Sequence, residues 1–337
     1  MAIDYKSSGV NIEAGETAVK AIKQMVRTTY NKNVLSDLGT FGGLYQLDLT
    51  KWKQPILVSS ADGVGTKLRL AIKAGKFDTV GQDLVNHCVN DILVQGAIPQ
   101  FFLDYIGVGE LNPVHIEQII SGFVKACAEN GCALIGGEMA EMPGFYAKGD
   151  FDLAGTIIGL VEKDKLITGK AIQAGDVLIG LPSNGLHTNG YSLARKILDK
   201  NKLTVDSFIH ELHSTVAEAF LTVHKSYLPA IQPLLKKDLI HGMAHITGGG
   251  IPGNLSRIIP EGLCAVIDES SWEAPIIFRW LQALAKVKQT EMRKVFNLGI
   301  GMIVVVSPEQ VKPTLKSTHG IIIGKIEAGN EAKVRYH

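Results

Sequence analysis

Apolar residues recur at helical spacing in three segments of the first half of the chain, and short apolar runs separate these segments. Helices are predicted near the start, around Ile12 to Val26, and at about 83–95 and 113–130. Buried strands are predicted at Pro55–Ser60, Phe101–Val108, Cys132–Ile135 and Asp152–Val161. After the first helix the order is β-α-β-α-β-β, which indicates a sheet packed against helices.

The alternation changes at a charged connection near Lys163–Gly175. We therefore expect two domains, 1–168 and 169–337. Strands of the second half are predicted at Asp176–Leu181, Cys264–Asp268, Met302–Val306, Ile321–Ile326 and Lys333–Tyr336. Helices are predicted at about 190–200, 211–236 and 275–287, with a helical stretch at Leu255–Ile259. The expected fold class is α/β (α+β), with an N-terminal mixed sheet packed on helices and a C-terminal α/β domain.

Composition narrows the class of protein. The chain has 337 residues, of which 46% are hydrophobic and 20% charged, so it can bury a large core. A net charge of +1 without a long basic run argues against a nucleic-acid partner. Four cysteines without a C-x-x-C pair favour a reducing compartment. The polar segment Met1–Gly15 and the lack of an 18-residue apolar stretch predict a cytoplasmic enzyme without a membrane partner.

Glycine is over-represented, with 36 residues of 337. The glycines cluster at 39–43, 63–65, 136–137, 248–250 and 299–301, and none lies between Gly190 and Gly242. Clusters of glycine allow unusual backbone dihedrals or close approach, so both tight turns and phosphate-cradling loops are open. We interpret Gly299 and Gly301, in an apolar segment, as packing positions, and 191–241 as a helical scaffold.

One motif combines several parts that phosphate chemistry needs. Asp62-Gly-Val-Gly-Thr-Lys67 follows a predicted buried strand. Its acid could bind Mg²⁺, and its glycine N–H groups and lysine could bind phosphate oxygens. A strand-to-helix turn with an Asp cap is the equal alternative. P-loop and dinucleotide-binding fingerprints do not occur in the sequence.

Other polar residues gather on a helix and at strand ends. On the predicted helix 83–95 one face carries Asp83, Asn86, His87 and Asn90, with Asp91 at its edge. We interpret this face first as solvated, although it also suits a magnesium–phosphate site. Glu138 and Glu141 lie where a predicted strand ends, a place where ligands collect, and exposed turn acids are the equal alternative. Asp104 lies on the preceding predicted strand.

Histidines and a glycine triplet mark the second half. His187 lies in Ser183-Asn-Gly-Leu-His-Thr-Asn-Gly190, where a structural role and a catalytic or phosphate-binding role are both open. The pair His241 and His245 is interpreted as structural, because the glycine between them argues against a zinc-binding helix. The triplet Gly248–Gly250 before a helix predicts an anion nest.

These motifs, in this order, resemble the phosphoribosylformylglycinamidine cyclo-ligases (aminoimidazole ribonucleotide synthetases) of purine biosynthesis, from about Tyr5 to Val306. The segments that carry the resemblance are Phe41-Gly-Gly-Leu, Asp62-Gly-Val-Gly-Thr-Lys, Cys88-Val-Asn-Asp-Ile-Leu-Val-Gln-Gly-Ala, Phe102-Leu-Asp-Tyr, Gly136-Gly-Glu-Met-Ala-Glu-Met-Pro-Gly, Gly185-Leu-His-Thr-Asn-Gly-Tyr-Ser, His245-Ile-Thr-Gly-Gly-Gly and Phe296-Asn-Leu-Gly-Ile-Gly-Met.

The resemblance implies the two-domain cyclo-ligase fold, in which the N-terminal sheets of two subunits join into a barrel-like homodimer. It implies that ATP and Mg²⁺ are used to phosphorylate the amide oxygen of formylglycinamidine ribonucleotide. The amidine nitrogen then closes the ring, with release of ADP and phosphate. Such catalysis consists mostly of positioning and charge neutralisation.

The resemblance also implies roles for individual residues. Asp62 and Asp91 would be the magnesium carboxylates. The ATP-binding residues would be Gly63, Gly65, Thr66, Lys67, Gly248, Gly249 and Gly250, with Gly42 and Gly43 in a loop, Gly39–Leu44, that closes over the site. The catalytic residues would be His187, Asp91 and Lys67, and weaker substrate candidates are Asp104, Glu138 and Glu141.

The chain departs from the family in a few places. Val223-His-Lys-Ser-Tyr227 stands where the family often has Pro-Thr-Arg-Ile-Tyr, and Lys225 can replace the charge of the arginine but not its bidentate fork. Met139 and Ile251-Pro-Gly-Asn254 are further departures. The alternatives are a selenophosphate synthetase or thiamine-phosphate kinase type of enzyme, or a non-catalytic nucleotide-binding protein of the same fold. The first cysteine is Cys88, which counts against the selenophosphate branch.

Overall fold

The structure is a computed structural model that describes Gly9, residues 11–329 and residues 332–337. Tyr5, where the family resemblance begins, lies outside the described residues. The chain divides into two compact units. One consists of Met1–Ile92 and Ile98–Glu162, and the other of Leu93–Ala97 and Lys163–His337.

The first unit is a four-stranded sheet with helices. In chain order its elements are helix α1 (Ile12–Arg27), strand β1 (Pro55–Gly63), helices α2 (Leu68–Ala74) and α3 (Asp78–Leu93), strand β2 (Ile98–Val108), helix α4 (Pro113–Asn130), and strands β3 (Ala133–Glu141) and β4 (Phe151–Glu162). The strand order is β1-β4-β2-β3. Strands β2 and β3, joined through α4, are parallel, and the other pairs are antiparallel. The predicted order β-α-β-α-β-β is confirmed, except that the short helix α2 was not predicted.

Helix α4 shows how the sequence sets these boundaries. The Asn112 side chain accepts a hydrogen bond from the N–H of Val114, and Pro113 occupies the first turn, where its missing N–H costs nothing. Gly131 ends the helix in the left-handed region, at φ 68°. The apolar stripe of α4 includes Phe123, whose ring lies 5.9 Å from that of Phe102 on β2. The predicted helix 113–130 is confirmed.

The second unit contains a six-stranded sheet. In chain order its elements are β5 (Val177–Pro182), α5 (Tyr191–Lys200), β6 (Phe208–Ile209), β7 (Ser214–Thr215), α6 (Val216–Phe220), α7 (Leu228–Leu235), β8 (Gly242–His245), α8 (Gly250–Leu255), β9 (Leu263–Ile267), α9 (Ile276–Ala285), α10 (Gln289–Val295), β10 (Ile300–Val306), α11 (Val311–Thr318), β11 (Ile321–Ala328) and β12 (Val334–Tyr336). The strand order is β12-β9-β11-β5-β10-β8, with β6 and β7 in a separate ribbon. Only β12 pairs parallel among these described strands.

The predicted single helix at 211–236 is wrong. The segment contains the short helices α6 and α7, separated by residues 221–227, which are not helical. A capping box between Thr215 and Glu218 starts α6 afresh. Pro229 then lies in the first turn of α7, a position that favours a new helix start over a continued one. Helices α10 and α11 were not predicted, and 191–241 is only partly a helical scaffold.

Among the described residues, no helix combines the length and the apolar character needed to cross a bilayer.

Candidate active site

Strand β1 and helix α3 bring two carboxylates and an imidazole together in the first unit. The Nε2 atom of His87 lies 2.8 Å from Asp62 Oδ2 and 3.6 Å from Asp91 Oδ2. Ser60, two residues before Asp62 and so on the same face of β1, donates its hydroxyl to Asp91 Oδ2 at 3.2 Å. The Asp62 side chain is 43% exposed and that of Asp91 25%, whereas His87 is buried. Two carboxylates that solvent can reach therefore converge on one imidazole nitrogen.

The two carboxylates set the charge of His87. Burial lowers its pKa, but the hydrogen bond that His87 donates to Asp62 and the charges of Asp91, Asp62 and Asp83 outweigh burial, so that the pKa is raised. An imidazolium then offsets the repulsion between the two acids. Carboxylate oxygens are the kind of ligand that Mg²⁺ takes up, and both side chains are within reach of solvent. Asp62 and Asp91, the predicted magnesium ligands, are thus brought together.

The prediction that the polar face of α3 is solvated is wrong. Asp83 and Asn90 have no exposed surface, and Asn86 and His87 are each 4% exposed. Other elements supply polar partners for this face: Asn130 on α4 donates to Asn86 Oδ1 at 2.7 Å. A polar stripe of helical period is buried when other elements satisfy its hydrogen bonds.

Lys67 is also buried, which alters its predicted role. Its Nζ atom lies 2.7 Å from Asp83 Oδ2 and its side chain has no exposed surface. Burial lowers the pKa of Lys67 more than Asp83 raises it. The preceding residues Gly65 and Thr66 are exposed, and Gly65 takes a left-handed φ of 70°. Contact between Lys67 and phosphate stays a prediction that requires this ion pair to open, whereas the Gly65-Thr66 turn already faces solvent.

A cavity of about 440 Å³ lies between α1, α4 and the β2–β3 edge of the sheet. The loop that contains Gly42 and Gly43 lines this cavity, and so do Asp104 and Glu138. Bonding at its base holds this loop, since the N–H of Leu35 donates to the carbonyl of Leu44 at 2.8 Å. The loop predicted to cover a ligand therefore lines a cavity.

Asp104 is the titratable group of this cavity. Burial, with a smaller contribution from Glu138, raises its pKa to about 7. Asp104 pairs across the sheet with Gly155, which pairs with Asp62, and on its other side with Gly137. A Cβ at Gly137 would lie 2.4 Å from Asp104 Oδ1, so glycine makes room for this carboxyl. Asp62 and Asp104 therefore lie in one row on one face of the sheet.

Glu141 has a different surrounding. Its carboxylate accepts hydrogen bonds from the backbone N–H groups of Asn11 at 2.6 Å and Leu111 at 2.7 Å. It thereby ties the start of α1 and the segment before α4 to the end of β3. These contacts favour a structural role over substrate binding for Glu141.

In the second unit, His187 lies in a strained and crowded position. Its φ of 61° is left-handed, which is uncommon for a residue with a side chain. Its Nε2 atom lies 3.0 Å from Asn184 Oδ1, and its ring stacks on that of His224 at 4.1 Å. A Cβ at Gly301 would come within 2.6 Å of His187 Cε1 and 2.0 Å of the Tyr227 hydroxyl. The interpretation of Gly301 as a packing position is confirmed.

The glycine triplet, predicted to form an anion nest, uses two of its N–H groups within the chain. The N–H of Gly248 donates to Asn189 Oδ1 at 2.9 Å, and that of Gly250 donates to the Thr247 carbonyl. Helix α8 begins at Gly250 itself and has only six residues, so its dipole is small. A Cβ at Gly250 would clash with the carbonyl of Arg293, so this glycine permits a close approach. Binding of ATP by the triplet stays a prediction.

The chain matches known proteins over nearly its whole length. Residues 47–161 match the family model described as "AIR synthase related protein, N-terminal domain", and residues 173–337 match the corresponding C-terminal domain. The chain is 48% identical over 340 residues to the phosphoribosylformylglycinamidine cyclo-ligase of Thermodesulfovibrio yellowstonii, covering 99% of each chain. It is 50% identical over 311 residues to that of Desulfitobacterium hafniense, covering 92% of this chain and 91% of the relative.

The chain belongs to the phosphoribosylformylglycinamidine cyclo-ligase family. The fold of the chain also resembles solved structures of lower identity. Thiamine-monophosphate kinase from Stenotrophomonas maltophilia matches with a TM-score of 0.69 and 18% identity, over 94% of this chain and 95% of that one. The hydrogenase maturation protein HypE in complex with ATP matches with a TM-score of 0.65 and 18% identity, over 94% and 90%. These likenesses show the fold alone.

Several contacts of these residues had no signal in the sequence. Asn254 donates to the carbonyls of Thr247, Gly248 and Gly250 and so clamps the glycine triplet. Ser60 and Asp83 act through partners distant in sequence. Lys225, at the departure from the family pattern, donates to the Pro182 carbonyl at 3.3 Å. Burial lowers the pKa of Lys225.

Proposed function

We propose that this protein catalyses the ATP-dependent cyclisation of formylglycinamidine ribonucleotide to aminoimidazole ribonucleotide, with release of ADP and phosphate. The observation that carries this proposal is the convergence of Asp62 and Asp91 on His87, in a chain that belongs to the cyclo-ligase family. Thiamine-phosphate kinase is the less favoured reading, because that likeness extends only to the fold.

The residues present fit a magnesium ion. Asp62 and Asp91 supply oxygen donors, both side chains reach solvent, and the raised pKa of His87 favours a positive charge that offsets only part of theirs. We propose that these two carboxylates hold Mg²⁺. When bound, the ion would neutralise negative charge on the phosphates of ATP.

The chain's own residues would position the reactants. The exposed Gly65-Thr66 turn offers backbone N–H groups and a hydroxyl to phosphate oxygens. The buried imidazole of His87 contacts both Asp62 and Asp91 and so helps to hold them in place. His187 would orient or stabilise a phosphoryl or amide oxygen in the second unit. Positioning and charge neutralisation of this kind account for most catalysis in phosphoryl transfer.

We propose that the cavity beside Asp104 and Glu138 takes a polar part of the substrate. An Asp104 carboxyl with a pKa of about 7 can donate a hydrogen bond as an acid or accept one as a carboxylate near neutral pH. Gly42 and Gly43 would allow the covering loop to approach the ligand closely.

We further propose a homodimer and a cytoplasmic location. The sheet face opposite Asp62 carries Leu57, which is 60% exposed, and the half-buried Leu103 and Tyr105. A second copy packed on this face would cover these apolar side chains. The four cysteines are buried free thiols, which suits a reducing compartment. Light scattering of the protein and a Leu103→Asp variant tests the dimer, since a charge at the interface should yield monomers.

The test of the activity is a coupled assay with purified protein. ADP release that depends on formylglycinamidine ribonucleotide, together with formation of aminoimidazole ribonucleotide, is the expected result. ATP binding without turnover would instead support a non-catalytic nucleotide-binding protein. ADP release with thiamine phosphate, but not with the ribonucleotide, would overturn the proposal in favour of a kinase.

A further inference from the structure

Three histidines from distant parts of the sequence form a buried group in the second unit. His187 lies in the loop after β5, His224 in the break between α6 and α7, and His245 at the end of β8. Their exposed fractions are 2%, 0% and 6%. His224 occupies the middle of the group. It belongs to Val223-His-Lys-Ser-Tyr227, where the chain departs from the pattern of the family it resembles.

Two imidazoles of the group share one hydrogen. The Nε2 atoms of His224 and His245 lie 3.1 Å apart, so one of them carries the proton that the other accepts. The Nδ1 atom of His224 lies 3.3 Å from the Thr188 hydroxyl, which can donate or accept. When neutral His224 donates from Nε2, its Nδ1 accepts from Thr188, and when Nε2 accepts, Nδ1 donates. The tautomers of His224 and His245 are therefore coupled.

The third imidazole is held by stacking. The rings of His187 and His224 lie 4.1 Å apart and are inclined by 19°. The Asn184 amide nitrogen donates to the Val223 carbonyl at 2.8 Å, so its Oδ1 is the atom that faces His187 Nε2. His187 consequently carries its proton on Nε2 when neutral. Two neighbouring residues thus act on His187. Val223 holds its hydrogen-bond partner Asn184, and His224 supplies the ring on which it stacks.

We propose that His224 is a positioning residue that fixes the ring plane of His187 and the tautomer of His245. The inference rests on the proposed function, in which His187 acts on bound reactants. His224 is fully buried and acts through its two neighbours. An imidazole is suited to this place because one ring supplies both a flat face and two nitrogen atoms on opposite edges.

Two variants separate the contributions of the ring and the nitrogens. His224→Phe keeps a stacked ring but removes both polar contacts, whereas His224→Gln keeps an amide near the Nε2 position but removes the ring. The exposed His210 supplies a matched control, His210→Gln. Each protein, labelled with ¹⁵N-histidine, is examined by its imidazole ¹⁵N shifts, which report tautomers, and by kcat and KM in the coupled assay. Thermal melting shows that each variant is folded.

We expect His224→Phe to change the ¹⁵N shifts of His245 and to lower kcat about tenfold, the lower end of the loss found when a residue that orients a metal-binding histidine is removed. KM for ATP should change less than about twofold, because ground-state binding is kept. His224→Gln should restore the His245 signals but shift those of His187. His210→Gln should leave both histidines and kcat unchanged.

Unchanged ¹⁵N shifts of His187 and His245 in both variants would overturn the proposal, whatever happens to kcat, because a merely structural residue would give that result. Changed shifts together with wild-type kcat would overturn the link to catalysis. If the parent protein does not turn over formylglycinamidine ribonucleotide, the proposed function fails, while the shifts still decide whether His224 sets its neighbours. If His224→Phe does not fold, the His224→Gln shifts of His187 decide.

Discussion

The Nζ atom of Lys67 lies 2.7 Å from a carboxylate oxygen of Asp83, and neither side chain has any surface exposed to solvent. A buried pair of this kind gains little over a well-packed apolar pair, but loss of one partner leaves a charge in a low-dielectric interior. The sequence motif that predicts phosphate binding by Lys67 therefore also contains half of a buried ion pair.

Removing one member of this pair should be costly. Asp83→Leu or Lys67→Met alone should lower the free energy of unfolding by about 3–5 kcal/mol, whereas the double variant should recover most of the loss. Urea unfolding measures all three, with the exposed Lys76→Met as the control for loss of a lysine. A double variant no more stable than the singles would contradict this account of the pair.

The Asp62 and Asp91 carboxylates should determine the requirement for magnesium. Asp62→Asn and Asp91→Asn remove a charged oxygen ligand, so the concentration of Mg²⁺ that gives half-maximal turnover should rise by roughly tenfold or more. Titration of Mg²⁺ in the coupled assay measures this shift. Asp206→Asn, at an exposed position in the second unit, is the control. Full turnover at limiting Mg²⁺ in either variant would show that the metal assignment is wrong.

Asp104 should make stability depend on pH. Its pKa is about 7 in the folded protein, against about 4 in the unfolded chain. Between these values the folded state keeps a proton that the unfolded state has lost, so the free energy of unfolding falls as pH rises through this window. Asp104→Asn removes this titration. The free energy of unfolding of the variant, relative to that of the parent protein, should therefore rise by about 2 kcal/mol as the pH goes from 5 to 8.

Chemical unfolding at a series of pH values measures this difference, in which the contributions of other groups cancel. Glu138→Gln removes the neighbouring charge that helps to raise the Asp104 pKa. It should therefore slightly narrow the pH range over which the stability of the protein depends on Asp104. A stability difference between Asp104→Asn and the parent that stays constant with pH would be incompatible with the raised pKa.

Gly301 should not tolerate a methyl group. In Gly301→Ala the new Cβ would lie 2.0 Å from the Tyr227 hydroxyl and 2.6 Å from His187 Cε1. Relief requires both side chains to move, so we expect a loss of about 1–3 kcal/mol and lower turnover. Gly253→Ala, where a Cβ meets nothing within 4 Å, is the control in the same unit and should be neutral or stabilising. Thermal melting and the coupled assay compare the two.

Most of the order of strands and helices in the first unit could be predicted, because the apolar residues within each predicted segment follow either the helical or the strand period. Helix α4 has both its caps, Asn112 and Gly131, in the sequence. The segment 211–236 was predicted less well. Its apolar residues fit one continuous helix, but the cap at Thr215 and the proline at Pro229 start two separate helices. Periodicity reports which residues share a face and not whether that face is solvated.

Some of the candidate site residues could likewise be found from the sequence, and others could not. Asp62 and Asp91 could be found because their types and surrounding motifs carry chemical information. The burial of Asp83 and Asn86 depends on Lys67 and Asn130, which approach from other elements. No sequence motif marks His224, because its proposed role depends on contacts with the rings of His187 and His245, which are distant in sequence. Relations of this kind arise only from the folded backbone.

At His187 the backbone conformation and the proposed function favour different amino acids. In a saturation library at position 187, selection for folded protein alone should enrich glycine and asparagine, which adopt this conformation at the lowest cost. Selection of the same library for growth without added purines should enrich histidine instead. The ratio between the two enrichments would measure how much conformational energy the organism accepts in order to keep an imidazole at this position.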